Sequence, residues 1–418
     1  MSKTIVRLIV RGQQKGQVIL MQLFNVPERI YFMPGAVQYL EKIPELHRVV
    51  VFTDKETIGA GIYEHLKYYL ERNECHPVID VFYDINRIAD LESVNRGVAI
   101  LRNFKPDTVI ALGGGNVIDT TKAAEAVFSN PDLTIDQLAD KYACNKCEKS
   151  MRIVCIPTTS GSGAEITSTA VVFGQDGKKY HLVDCNIKPD VAIVDSELVY
   201  EASDELSAAH GFEVLAHGIE AYVSVMHSDY TDSFALSAVK TVFDYLPRSC
   251  KNGSADHEAR EKMHNAAAIA GMAYESTLCG LNSALSHSVS SETGVSKGIA
   301  DAVLLPYTIE FNAAGKVSEA WPKYGREGAA ERYRQIAAYL GLDAETPEKG
   351  VKSLVSTVKK LAEEIGVPAN FESAGTSFLN SVPFMAEKAL EDRDMAGNPR
   401  AAVASELEEL LRSAYSGK

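Results

Sequence analysis

The stretch "TVIALGGGNVIDTTKAA", Thr108 to Ala124, carries the decisive reading of the chain. A run of aliphatic and β-branched residues ends in three consecutive glycines, and a helical pattern starts directly after them. Strand, glycine-rich turn and helix in that order form the unit from which parallel sheets are built. Glycines at such a turn let a phosphate approach the main chain, and the helix start supplies free N–H groups and the positive end of its dipole. The spacing is not G-x-G-x-x-G, so the motif alone also fits a tight βα turn that binds nothing.

The flanking segments repeat the pattern. "RVVVFTD" (Arg48 to Asp54), "PVIDVFY" (Pro77 to Tyr83), "RIVCIPTT" (Arg152 to Thr159) and "VAIVD" (Val191 to Asp195) are expected to be buried strands. Ile58 to Arg72 and Asp90 to Phe104 have helical spacing. Continuous apolar strands alternating with helices predict a parallel α/β domain over residues 25–202. After Ser203 the β signal stops: "SDELSAAHGFEVLAHGIEAYVS" opens with an N-cap serine and an acidic first turn. Residues 203–418 are therefore expected to form an all-helical domain, with breaks near Asn252, Gly280, Gly294 to Gly298, Gly315, Gly341 and Gly366. Residues 1–24, with "TIVRLIVR", "GQQKG" and "QVILMQLF", suggest a separate hairpin extension covering a sheet edge or a neighbouring subunit.

The chain has 418 residues, 46% hydrophobic and 23% charged, enough for two domains with their own cores. A net charge of −14 argues against a nucleic-acid partner. No apolar run reaches the roughly 20 residues needed to cross a membrane, and the N-terminus does not resemble a signal peptide. Seven scattered cysteines suit reduced thiols in a cytoplasmic protein. "CNKC" (Cys144 to Cys147) is a lone CxxC, expected as plain thiols in a surface loop.

Two further loops fall at strand ends, where open α/β sheets bind ligands. "PTTSGSGAE" (Pro157 to Glu165) is dense in hydroxyls and glycines. "FTD" places Asp54 where an acid accepts ribose hydroxyls and repels a 2′-phosphate; a solvated turn is the alternative.

The chain resembles the iron-containing (group III) alcohol dehydrogenases, nearest to the alcohol-dehydrogenase half of bifunctional aldehyde–alcohol dehydrogenases and to microcompartment-associated relatives. The resemblance rests on "VPERIYFMPGAV", "FKPDTVIALGGGNVIDTTKAA", "IPTTSGSGAEITSTAVV", "PDVAIVDSELV", "HGIEAYVS", "AREKMHNAAAIAGMAY", "AVLLPYTIEFNA" and "AGNPRAAVASELEELL", in family order from about residue 25 to 415. It implies a Rossmann-like N-terminal domain and a helical C-terminal domain, the dehydroquinate synthase-like architecture, with the active site between them. It implies NAD on Gly113, Gly114, Gly115, Asn116 and Asp119, and on Thr158, Thr159 and Ser162, with Lys179 near the cofactor. Asn116 stands where the family has serine.

The family holds a divalent metal with four side chains, and the pattern survives here only in part. By resemblance, Glu213 replaces the family aspartate, His217 is kept, Ser283 replaces a histidine, and Lys297 replaces the last histidine. The second histidine of the family's H-x-x-x-H pair is kept as His287. A protonated lysine repels a cation, so bound iron or zinc is disfavoured; Glu213, His217 and His287 are the residual candidate ligands. Hydride transfer to a carbonyl builds negative charge on oxygen, and a buried ammonium stabilises such charge. Lys297 is therefore the candidate catalytic group. Glu213 is its expected counter-ion, and desolvation is expected to lower its pKa so that it donates a proton. Ser283, Tyr274 and His287 complete a polar pocket, with His287 as proton relay; Glu275 and His210 also depart from the family and suggest a changed, charged substrate. The expectation is an NAD-dependent oxidoreductase of a small aldehyde or alcohol, homo-oligomeric, cytoplasmic or within a bacterial microcompartment. The alternatives are a catalytically weak nucleotide-binding paralogue with a structural role and a metalloenzyme with atypical ligands.

Overall fold

The computed structural model describes residues 23–139, 147–175, 177–315 and 328–417. The chain divides into two compact units. One runs to Thr158 and resumes over Ala164–Asp195; the other comprises Thr159–Gly163 and the chain from Ser196 onward. The expected 1–24 hairpin and Cys144 lie almost wholly outside the described residues.

In the first unit, β1 (Arg29–Phe32), β2 (Arg48–Phe52), β3 (Val78–Phe82), β4 (Thr108–Gly113), β5 (Arg152–Pro157) and β8 (Val191–Val194) form a parallel sheet in the order β1-β8-β5-β4-β2-β3. The connections diverge on either side of β2 and β4, which makes the crevice between these strands the topological switch point. β4 is buried along its whole length, which explains its unbroken apolar run. The helices are α1 (Lys55–Gly59), α2 (Ile62–Leu70), α3 (Leu91–Phe104), α4 (Gly115–Ser129) and α5 (Ile135–Leu138). The single helix expected over Ile58 to Arg72 is split: Gly61 takes φ +76°, a left-handed conformation that a glycine adopts without strain. A hairpin of β6 (Thr169–Phe173) and β7 (Lys179–Val183) forms its own two-stranded sheet. Cys147 is buried among the apolar residues of this unit rather than lying on the surface.

The second unit is helical throughout its described residues: α6 (Asp204–Val223), α7 (Asp229–Asn252), α8 (His257–Thr277), α9 (Leu281–Thr293), α10 (Lys297–Ala313), α11 (Ala329–Tyr339), α12 (Pro347–Glu364), α13 (Thr376–Glu391) and α14 (Ala404–Ser416). Ser203 caps α6, accepting from Leu206 N at 3.2 Å. One core gathers Phe212, Leu215 and Ile219 of α6 against Val239 and Leu246 of α7 and Met263 of α8. Another gathers Leu281 and Leu285 of α9, Leu304 of α10, Phe378 of α13 and Leu411 of α14. Each fully buried side chain of this size contributes about 1.5–3 kcal/mol. The break expected at Gly294 to Gly298 ends sooner, because α10 starts at Lys297. A Cβ on Gly298 would lie 2.0 Å from Ala209 O, so only glycine lets α10 meet the α6 backbone here.

Candidate functional site

In the first unit Asp54, Gly113, Gly114 and Thr158 follow or end β2, β4 and β5, at the carboxyl edge of the sheet. β2, β4 and β5 are neighbours, and Gly113 pairs with Pro157. Gly114 is the N-cap of α4 and gives no side-chain cap, so the first-turn amides at the half-buried Gly115 and Asn116 are not covered by a capping side chain. That uncapped, glycine-lined helix start suits a pyrophosphate. Thr158 N donates to Gly113 O (3.1 Å), which fixes the two loops together. Asp54 follows β2; its Oδ1 accepts from Thr57 N (2.7 Å) and caps α1. Asn116 Nδ2 donates to Asn86 O (3.0 Å). Asp119 Oδ2 accepts from Val171 N (3.1 Å), which ties α4 to β6. Lys179 opens β7, opposite Phe173. Sequence reasoning passed over Lys122, whose buried Nζ donates to Ala164 O (2.6 Å), Thr167 O (2.7 Å) and Thr169 O (3.0 Å) and so pins the loop after β5.

In the second unit Glu213 and His217 lie one turn apart on α6 and share a face. Lys297 is the first residue of α10, and its side chain is 22% exposed rather than free in a solvent loop. Its Nζ donates to Asp301 Oδ2 (2.9 Å) and to His217 Nε2 (3.2 Å), and lies 3.3 Å from Glu213 Oε1. Glu213 is thus its counter-ion, and Asp301 is a second one. Asp301 is oriented by Asn282 Nδ2, which donates to its Oδ1 (3.1 Å).

These contacts overturn the expected pKa of Lys297. Burial works to lower it, but Asp301 and then Glu213 more than offset that, and the ammonium is held above the ordinary lysine value. Lys297 is a fixed charge, not a proton donor. Burial works to raise Glu213, yet Lys297, His217 and His210 hold its carboxyl down at about 2. Burial and the nearby ammonium depress His217 to about 3, so it is neutral and accepts from Lys297 through Nε2, which places its own proton on Nδ1. That Nδ1 is buried with no hydrogen-bond partner among the described residues. Asp301 is raised by burial, which outweighs the attraction of Lys297. The cluster holds two carboxyls for one cation, and at neutral pH the ammonium is paired with the ionised Glu213.

The remaining candidates divide. Tyr274 packs against His217 (ring centroids 4.6 Å apart) and its hydroxyl donates to Ser162 O (2.6 Å). Ser283 Oγ is committed to Glu220 Oε2 (2.6 Å), and burial raises Glu220 to about 8. His287 Nδ1 lies 3.1 Å from Asp392 Oδ2, and neither Lys297 nor Ser283 is its hydrogen-bond partner among the contacts described. Thr159 lies beside Ser160, whose hydroxyl meets His264 Nδ1 at 3.0 Å. Asp301, Glu220, Asn282, Asp392 and Asp394 were not singled out from sequence. Asp301 was legible, four residues after Lys297 on one helix face.

The family's metal does not fit these residues. A protonated ammonium is seated among Glu213, His217 and Asp301, and Ser283 is bonded to Glu220, so the donor set holds a cationic side chain where a metal would need a deprotonated ligand.

A parallel sheet of the nucleotide-binding type is followed by a helical unit that carries a buried polar cluster. Residues 27–196 match iron-containing alcohol dehydrogenase and residues 207–415 match the Fe-containing alcohol dehydrogenase family, C-terminal. The chain belongs to the iron-containing alcohol dehydrogenase family. It is 37% identical over 410 residues to the aldehyde-alcohol dehydrogenase of Streptococcus pneumoniae, covering 95% of this chain and 46% of that one. It thus spans about half the length of that relative. It is 31% identical over 401 residues to the NADPH-dependent butanol dehydrogenase of Clostridium saccharobutylicum, covering 95% of this chain and 99% of that one. The crystal structure of sulfoacetaldehyde reductase from Bifidobacterium kashiwanohense in complex with NAD+ matches with a TM-score of 0.81 and 26% identity, over 96% of this chain and all of that one.

Proposed function

We propose that the chain is an NAD-dependent oxidoreductase that interconverts a small aldehyde and its alcohol, with the ammonium of Lys297 in place of the family's metal. The observation that carries this reading is the seating of Lys297 Nζ among Glu213, His217 and Asp301. NAD, when bound, supplies and accepts the hydride. The amides at the start of α4 hold the pyrophosphate, and Asp54 accepts the ribose hydroxyls. Lys297 stabilises negative charge on the substrate oxygen through its field. Because it stays protonated, the proton comes from elsewhere.

A second reading has a specific observation behind it. An ammonium has three N–H bonds, and all three have protein acceptors here, so none is left for a substrate. That favours a weak or inactive nucleotide-binding relative.

The test is NADH-linked reduction of short aldehydes by the parent and by Lys297→Met. The expected result is a fall in kcat of about 10²–10³-fold with NADH affinity unchanged. Parental turnover in Lys297→Met would overturn the catalytic role. NADH binding without turnover in the parent would establish the second reading.

A further inference from the structure

We propose that His287, Asp392 and Asp394 form a binding site for a divalent transition-metal ion of the zinc class, separate from the Lys297 cluster. His287 sits on α9, and both aspartates come from the turn that follows α13. Each aspartate has one oxygen held by the main chain: Asp392 Oδ1 accepts from Asp394 N (3.0 Å), and Asp394 Oδ1 accepts from Cys279 N (3.4 Å). The other two oxygens face the same imidazole nitrogen. Asp392 Oδ2 is 3.1 Å from His287 Nδ1 and Asp394 Oδ2 is 3.9 Å from it. All three ligand atoms lie within 4.8 Å of one another.

One N–H reaches one carboxylate, so a His–Asp hydrogen bond accounts for Asp392 alone. Asp394 Oδ2 has no hydrogen bond among the described residues. A cation at the point of convergence engages all three atoms. Tetrahedral bonds of about 2.0–2.1 Å place ligand atoms roughly 3.3–3.5 Å apart, and the two observed distances from His287 Nδ1, 3.1 and 3.9 Å, lie on either side of that range. Carboxylates oriented through their second oxygen are the usual support of a metal ligand. The Asp392 side chain is 3% exposed, Asp394 18% and His287 21%, so the open side of the site admits water to complete the shell. One imidazole with two carboxylates selects zinc or a similar ion over magnesium.

The experiment strips the full chain with chelator and titrates it with Co²⁺, read by visible absorption, and with Zn²⁺ in competition. One equivalent is expected, with binding at least tenfold weaker in Asp394→Asn and in His287→Gln and unchanged in Glu213→Gln. Both variants are checked for fold by circular dichroism. Absence of binding, or parental binding in both variants, overturns the proposal. Binding lost in Glu213→Gln but kept in His287→Gln also overturns it and places the ion at the family's position. The readout is metal binding alone, so its failure is distinct from any result on turnover at Lys297.

Discussion

At Lys297 a single charge with three N–H bonds sits where the family resemblance calls for a divalent ion, and the exchange has an energetic consequence. The ammonium keeps Glu213 ionised inside the protein, at about 2, and lies between it and Asp301. Removing the lysine leaves a buried carboxylate without its partner. Lys297→Met should cost toward the lower end of about 3–5 kcal/mol, because the lysine side chain retains 22% exposure. Adding Glu213→Gln removes the stranded charge. Asp301, whose pKa burial already raises, keeps the hydrogen bond from Asn282. The double variant should therefore be more stable than the single one by about 0.5–3 kcal/mol in urea unfolding. Equal stability of the two would mean that Glu213 does not depend on the ammonium. Of this cluster, Lys297, Glu213 and His217 were visible as departures from or retentions of a ligand pattern. The raised pKa was not, because it depends on Asp301 pointing back at Lys297.

At the level of elements, what was legible follows from burial. β2, β4, β5 and β8 are apolar runs because both faces of the sheet are covered. β1 is four residues long with exposed ends, and β6 and β7 alternate in burial but keep apolar Val171, Phe173 and Val183 at their half-buried positions, which blurs the alternation in the sequence. The aspartates of the turn after α13 were unreadable as partners of His287, because the fold brings them together across about 105 residues of chain. Asp54 follows β2: its side chain caps α1, and it lies at the carboxyl end of the strand, where the cofactor is proposed. Asn caps as well as Asp does, so Asp54→Asn removes the charge and keeps the cap. Fluorescence titration should show tighter NADH than NADPH binding in the parent, and a gap that narrows severalfold in Asp54→Asn through relief of like-charge repulsion. An unchanged ratio would exclude Asp54 from cofactor choice. The contrast between a relative named for NADPH and one solved with NAD+ makes the measurement decisive for this chain.

Across the whole molecule the buried titratable groups set how stability depends on pH, and the two units differ. In the sheet unit burial raises Glu125 and Glu165 to about 7. A carboxyl whose folded pKa is raised stabilises fully below its unfolded value of about 4.5 and loses that stability as pH climbs to the folded value. This unit should therefore weaken from about pH 4.5 to 7. In the helical unit burial depresses His217 to about 3 and His264 to about 4, and Glu213 is held at about 2. The histidines lose their contribution as pH falls below about 6.5, and Glu213 loses its own as pH falls below about 4.5. Glu220, raised to about 8, acts in the opposite sense and weakens this unit as pH rises. Among these four groups two histidines outweigh one carboxyl between about pH 4.5 and 6.5, and Glu220 alone acts above about 6.5, so their combined contribution is greatest near pH 6.5. Glu220→Gln isolates the alkaline limb. The amide keeps the shape and can still bond Ser283, but it has no proton to lose. Relative to the parent, the variant should gain about 1.4 kcal/mol of stability per pH unit between about pH 5 and 8. Comparing parent and variant at each pH cancels every other group. A difference that stays flat over that range would show that Glu220 is ionised in the native protein, held by the Ser283 hydroxyl and the Asn282 and Ser283 amides.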